Sequence, residues 1–420
     1  MKWIHWLKPG LQLKRWLLIG MIGLVLMSVP AGCIIMYFFD INWWIVVMSG
    51  VLGFLVLFFA FKCGFSSLLR NMQTTPFTQG VQSDGKHIQR MIYDKQVLAK
   101  GRKIVVIGGG TGLSVLLRGM KQITSNITVV VTVADDGGGS GILREDLGML
   151  PPGDIRSCIL ALSEMEPTME NLFQYRFTEG GLKGQSFGNL FIASMNGISD
   201  SFEEAIKKMS EVLAVKGDVY PVTLEDITLF AQLKNGRIIK GESSIPKKSQ
   251  EDNSPIDFVF IKPKKAGTLP EVIEAIRHAD AVVLGPGSLY TSIIPNLLVK
   301  DIVESIERST ANTFYLPNIM TQPGETDFYS VSDHVNALFR NTSMRNIDYV
   351  IANHQKVPAE IEEKYLSEGA RMVLPKPEDF RILQDKGINL ITEELVEVKN
   401  NYVRHDALKT SKKIESLLPR

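Results

Sequence analysis

The sequence predicts an α/β protein: a Rossmann-like, mostly parallel sheet with a small antiparallel β insert, preceded by a two-helix transmembrane hairpin. Three observations carry that reading. Residues 103–107 form an apolar run rich in β-branched side chains that stops at Gly-Gly-Gly-Thr-Gly (108–112) and gives way to an amphipathic helix pattern. A second such run, 127–133, stops at Asp135, Asp136 and more glycines. Between positions 16 and 61 only Asp40 is charged. The first two observations are the layout of a βαβ unit whose strand ends present a glycine loop and an acidic pair. Glycines let the backbone approach an anion, and the helix opening near Gly112 points free N–H groups at it.

The apolar start reads as a membrane hairpin over 1–63, with spans at about 16–39 and 42–61. Each span can cross ~30 Å of hydrocarbon at about 1.5 Å per residue. A signal peptide would have a shorter apolar core. Lys2, Lys8, Lys14 and Arg15 precede the first span, Lys62 and Arg70 follow the second, and the turn has no basic residue. By the positive-inside rule both ends, and the domain that follows, are cytoplasmic. No ionisable residue lies mid-span, so the reading is an anchor rather than a transport path. The expected location is the cell membrane, crossed twice. Residues 64–101 read as a linker and a juxtamembrane helix, and 102–420 as the α/β domain.

Composition narrows the function classes. The 420 residues carry 46 Lys plus Arg against 45 Asp plus Glu, so there is no basic field for nucleic acid. The 3 cysteines and 6 histidines are scattered without pair spacing and make neither a disulfide framework nor a zinc site.

Along the domain, strand-like and helix-like segments alternate. The Pro-Pro-Gly-Asp turn at 151–154 offers Asp154 as the N-cap of a helix to 162. Helix patterns follow at 168–177, at 190–195 after the glycine turn 184–189, and at 201–214 with Ser201 as cap. A β-rich insert, about 218–262, holds strands at 219–223, 227–234, 237–242 and 256–261, with a hairpin turn at Asn235-Gly236. Its 243–255 segment reads as a solvated loop. The βα pattern resumes with a helix at 269–278 and strands at 281–284, 313–316 and 347–352. Ligands bind beyond the carboxyl ends of such sheets. The loops starting at Gly108, Asp135, Gly285 and Asn318 carry glycine with hydroxyl, amide or carboxylate groups, and the reading brings all four to one crevice.

Five long motifs in 103–353 resemble the gluconeogenesis factor family, within the 2-phospho-L-lactate transferase-like superfamily. They are GGGTGLSVLLRG (108–119), VADDGG (133–138), LPPGDIR (150–156), LFQYRF (172–177) and LGPGSLYTSIIPNLLV (284–299). The resemblance implies a nucleotide-sugar-binding protein, uridine-diphosphate sugars being the class, that supports cell shape and cell-wall synthesis during gluconeogenic growth. The expected partners are a nucleotide sugar, cell-wall synthesis proteins and a second copy of the chain. The more distant transferases use magnesium, and Asp136 resembles the superfamily's metal or substrate carboxylate. Gly139 and Gln185 depart from the family pattern, which has Ser and His there; Gln185 cannot shuttle a proton at neutral pH.

Two readings stay open. As a sensor, the backbone of Gly109, Gly110, Thr111 and Gly112, with Gly285, Gly287 and Ser288, would hold a diphosphate. Asp135 or Asp136 would bind ribose hydroxyls or a cation, and Ser186, Asn189 and Thr321 would line the sugar site. As a transferase, Asp136 would position magnesium and Arg156 would neutralise the leaving group. The plainer alternatives are that Asp135 and Asp136 cap the glycine turn, that Arg156 is half of a structural salt bridge, that Arg144 pairs with Glu145 in solvent, and that Cys158 is core.

Overall fold

The computed structural model describes residues 98–164 and 167–419, with a few isolated positions before them. The expected hairpin, and the linker up to position 97, therefore lie outside the described residues. Among the described residues no helix is long and apolar enough to cross a membrane.

The chain from 97 onward is one unit. It starts β1 (Ile104–Gly108), α1 (Gly110–Met120), β2 (Ile127–Val131), then runs through five helices: α2 (Gly138–Leu147), α3 (Gly153–Leu162), α4 (Pro167–Gln174), α5 (Phe187–Gly197) and α6 (Phe202–Val212). Next come β3 (Asp218–Pro221), β4 (Thr228–Leu233), β5 (Ile238–Lys240), α7 (Ile245–Glu251) and β6 (Ile256–Lys262). The βα pattern resumes with α8 (Pro270–Arg277), β7 (Ala281–Leu284), α9 (Ile294–Leu297), α10 (Ile302–Arg308), β8 (Asn312–Tyr315), α11 (Val331–Asn341) and β9 (Tyr349–Asn353). It closes with α12 (Ala359–Ser367), α13 (Pro377–Asp385), β10 (Asn389–Glu393), the hairpin β11 (Val396–Lys399) and β12 (Tyr402–His405), and α14 (Ala407–Leu417).

Seven strands pair in the order β10-β9-β8-β7-β1-β2-β3, all parallel. The central strands are continuous apolar runs because both sheet faces are covered; every residue of β1 and β7 is buried. The chain moves one way from β1 to β2 and β3, and the other way from β7 outward. The strand order therefore reverses between β1 and β7, where open α/β sheets bind ligands.

The insert is smaller than the sequence predicted. β4, β5 and β6 form an antiparallel sheet, with Gly236 at φ +88° in the expected hairpin turn. β3 pairs in parallel with β2 and belongs to the main sheet. Its short apolar stretch cannot be told from an insert strand by alternation alone. The expected loop at 243–255 is largely helical: α7 buries Ile245 and Ser249 against the insert sheet.

The C-terminal part, where the motif resemblance fades, is integral to the fold. β10 extends the sheet, and α14 packs on α1 so closely that a Cβ on Gly119 would lie 2.2 Å from the carbonyl oxygen of Ala407. Gly119→Ala should therefore destabilise by about 1–3 kcal/mol through overpacking. Gly197→Ala, with nothing within 4 Å of the added Cβ, should be neutral or mildly stabilising. Thermal melts of both variants check this; equal midpoints would mean α14 does not dock as seen.

Candidate functional site

β1 ends in Gly108, and the next two residues decide the geometry. Gly109 carries no side chain because a Cβ there would lie 2.6 Å from Thr132 Cγ2 and 2.7 Å from Asp154 Oδ2. Gly110 sits at φ +72°, the left-handed region that glycine adopts without cost. α1 starts at Gly110 with no side-chain cap. Asp154 supplies the partner instead, its Oδ2 accepting the Gly110 N–H at 2.7 Å. The N-cap role expected for Asp154 is thus corrected: Pro152 occupies the N-cap position of α3 with no side-chain bond, and the Asp154 carboxylate crosses to the neighbouring glycine loop.

α2 also begins without a side-chain cap, behind Gly137, and so does α3. Three helix N-termini open into one cleft of about 260 Å³, lined by Gly110, Thr111, Gly137 to Ser140, Gly153 and Asp154. Their unpaired N–H groups and dipoles make its floor attractive to an anion. Arg156, Arg176 and Asn189 complete the wall. Arg156 Nη1 donates to Asn189 Oδ1 at 2.8 Å and to the Ser186 hydroxyl, while its Nε is buried without a partner. No carboxylate pairs with Arg156 among the described residues, so the salt-bridge alternative does not hold. Burial, then nearby Arg176, lowers its pKa.

Gly110, Thr111, Asp135, Arg156 and Asn189, all expected at the site, line this cleft. Ser186 stands just behind, capping α5 through the Asn189 N–H. Asp135 Oδ1 accepts from the Gly137 N–H at 2.9 Å, so it also braces the glycine turn. Gly112 and Gly287 serve closeness: a Cβ on Gly112 would meet the Pro286 oxygen at 3.1 Å, and one on Gly287 the Gly109 oxygen at 3.1 Å. The Gly285 turn thus backs the first glycine loop, and the Ser288 hydroxyl accepts from Gln322 Nε2 at 2.7 Å. Thr321 is buried and tied to Arg371 by two hydrogen bonds of 2.7 and 2.9 Å.

Asp136 faces away from the glycine floor, toward the insert. Its Oδ1 accepts from the Ser243 N–H at 2.9 Å, and Oδ2 lies 2.4 Å from where a Cβ on Gly241 would stand. Arg144 does not pair with Glu145; it bridges to Asp226 and to the Ile227 carbonyl, fixing α2 to the chain entering the insert. Cys158 is core, its thiol pKa pushed up by burial.

Two acids were not expected at the crevice. Glu242, beside the Gly241–Asp136 contact, has its pKa pushed to about 8, first by burial and then by Asp135, Glu325, Asp136 and Asp154. Glu325 is raised to about 7 by burial, opposed by its bonds from Thr291 and Tyr290. Asp154 is raised to about 6, again mainly by burial. Nothing local in the sequence marks Glu242. Glu325 sat in the loop after β8, which the sequence did single out.

Among the described residues no group of three His, Cys, Asp or Glu side chains is arranged to hold a metal ion. A cation here would draw on Asp135 and on the phosphates of a ligand, the mode magnesium favours. Asp136, expected to be its ligand, has its oxygens turned to the insert backbone.

This geometry defines an α/β protein with a glycine-rich cleft at the carboxyl ends of its parallel strands, and comparison with known proteins gives the family. The family model described as 2-phospho-L-lactate transferase CofD matches residues 104–396. A gluconeogenesis factor of Bacillus subtilis is 46% identical over 319 residues, covering 75% of this chain and 98% of its own. A gluconeogenesis-factor relative from Clostridium acetobutylicum is 48% identical over 410 residues, covering 97% and 90%. A crystal structure of a Bacillus halodurans protein superposes with a TM-score of 0.72 at 45% identity, over 75% of this chain and 99% of that one. The chain belongs to the gluconeogenesis factor branch of the CofD family.

The three raised acids set a pH dependence. Each folded-state pKa lies above its unfolded value, so the contribution to stability is full below about pH 4 and lost as pH rises through 6 to 8. The melting temperature should fall between about pH 4 and 8, and Asp154→Asn should flatten the lower part of that fall, by on the order of 1–3 kcal/mol. A fall that is the same in Asp154→Asn would remove Asp154 as its source.

Proposed function

We propose that the domain binds a nucleotide sugar of the uridine-diphosphate class and acts as a membrane-tethered regulator of cell shape and cell-wall synthesis during gluconeogenic growth. The observation that carries the ligand reading is the meeting of three uncapped helix N-termini with Arg156 in one cleft. A diphosphate suits that floor, because backbone donors and helix dipoles stabilise spread negative charge. Arg156 Nε, buried without an acceptor, supports the same reading: a phosphate oxygen would satisfy it. The physiological part comes from the resemblance and from the relatives' name, gluconeogenesis factor. Homodimer formation and contact with cell-wall synthesis proteins belong to the same proposal.

A second reading, a magnesium-dependent transferase, is favoured by one observation. Asp154 sits on the glycine loop with a pKa near 6, suited to taking or giving a proton near neutrality. Magnesium, when bound, would neutralise phosphate charge beside Asp135. The two readings separate on product analysis. Arg156→Gln should weaken binding of uridine-diphosphate glucose at least about tenfold without lowering the melting temperature. Wild-type protein incubated with that ligand, magnesium and alcohol acceptors should leave it intact. Sustained turnover that collapses in Asp154→Asn with affinity preserved would establish the transferase instead.

The tether is proposed from positions 1–63, where apolar spans are flanked by basic residues. A cysteine placed at Asp40 should be labelled from outside intact cells, and one placed at Lys86 should not. Labelling at both positions would overturn the hairpin.

A further inference from the structure

The insert is held over the crevice from two sides. On one, Asp136 receives the Ser243 N–H, and a Cβ on Gly137 would lie 3.3 Å from Ser243 Cβ. On the other, Gly324 packs on α7, where a Cβ would come 2.2 Å from the Pro246 oxygen. Glu242 stands between these contacts, flanked by Gly241 and Ser243. Its carboxyl makes no hydrogen bond or ion pair among the described residues, and Asp135 and Asp154, both of which line the cleft, are near enough to raise its pKa. Across the cleft, Gln185 is 5% exposed, and its Oε1 has no donor. That oxygen lies 2.8 Å from the place of a Cβ on Gly139, another lining residue.

The cleft therefore mixes donors and acceptors. Helix N-termini and arginines supply the donors, and beside them stand carboxyls and an unfilled amide acceptor. An anion belongs on the donors; hydroxyl groups, which both donate and accept, belong against the carboxyls and the amide oxygen. We propose that Glu242, brought by the insert, is a specificity-determining residue that hydrogen-bonds the hydroxyl-bearing part of the ligand and not its phosphates. This rests on the nucleotide-sugar reading and adds to it which element reads the ligand beyond its phosphates. Without the insert the glycine floor would hold any diphosphate alike.

The test compares two probes, inorganic pyrophosphate and uridine-diphosphate glucose, by calorimetry on the full-length protein. Glu242→Ala should weaken uridine-diphosphate glucose about fivefold, the loss of one hydrogen bond, and leave pyrophosphate unchanged or tighter. Glu242→Gln, neutral and of the same shape, should stay within about twofold of wild type for both. In wild type, affinity for uridine-diphosphate glucose should drop above about pH 8. There Glu242 ionises beside Asp135, Glu325, Asp136 and Asp154 and loses its O–H donor. Glu242→Gln should not show that drop. Equal loss of both probes in Glu242→Ala, no loss of either, or a pH drop retained in Glu242→Gln would overturn the role of Glu242. Wild-type protein that binds pyrophosphate but not uridine-diphosphate glucose would overturn it too. Wild-type protein that binds neither probe would instead sink the nucleotide reading, and this inference with it.

Discussion

The hydrogen bond between the Asp154 carboxylate and the Gly110 amide joins the first turn of α3 to the first turn of α1. The rest of the cleft follows from it. It needs Gly109 without a side chain, since a Cβ would collide with the same carboxylate oxygen. It needs Gly153 at the start of α3, where a Cβ would lie 2.5 Å from Ser140 Oγ and 3.3 Å from Asp135 Oδ2. Three helices thus bring their N-termini together at backbone contact distance, and only glycine permits that approach. The same bond places an acid amid donors meant for an anion. Asp154 occupies the Gly110 donor, so the bond between the two helix starts is sensitive to the protonation of Asp154, whose pKa burial raises to about 6.

Charge is crowded around the cleft. Helix ends and Arg156 gather positive potential on the glycine floor. Asp135, Glu325, Asp136 and Asp154 lie near enough to Glu242 that repulsion adds to burial in favouring its neutral form. Surface ion pairs elsewhere, such as that of Arg277 with Glu274, join exposed residues and contribute little. Burial of several acids costs stability that the apolar sheet supplies: Val106, Ile107, Val129, Val130 and Val283 are fully buried.

Much of the sheet was legible because its signals are local. The β1 run ending in glycines, the Ala281–Leu284 strand and the Asn235-Gly236 turn need only neighbours in sequence to be read. β3 was misplaced because pairing partners are set by topology, not by the strand's own residues. At the site, Gly110, Thr111, Asp135, Arg156 and Asn189 were found through glycine loops and motifs. Asp154 was read as a cap because a Pro-Pro-Gly-Asp turn before a helix is the usual place for one, and the donor it actually serves is 44 residues away. Glu242 was invisible for the same reason: the acids that act on it, Asp135, Glu325, Asp136 and Asp154, are all distant in sequence. Asp136 looked like a metal ligand from its position, and only the fold reveals that it grips the insert.

The docking of α14 has a further bearing on how the domain is built. Arg102 at the entrance to β1 reaches the Pro419 carbonyl near the chain's end, and α14 lies along α1. The two ends of the fold are thus neighbours. Such an arrangement suits circular permutation: a short join between the ends, with new termini opened at the Asn235-Gly236 turn, would leave every strand in its place in the sheet. The point at which the domain is fastened to anything else is, in this architecture, interchangeable.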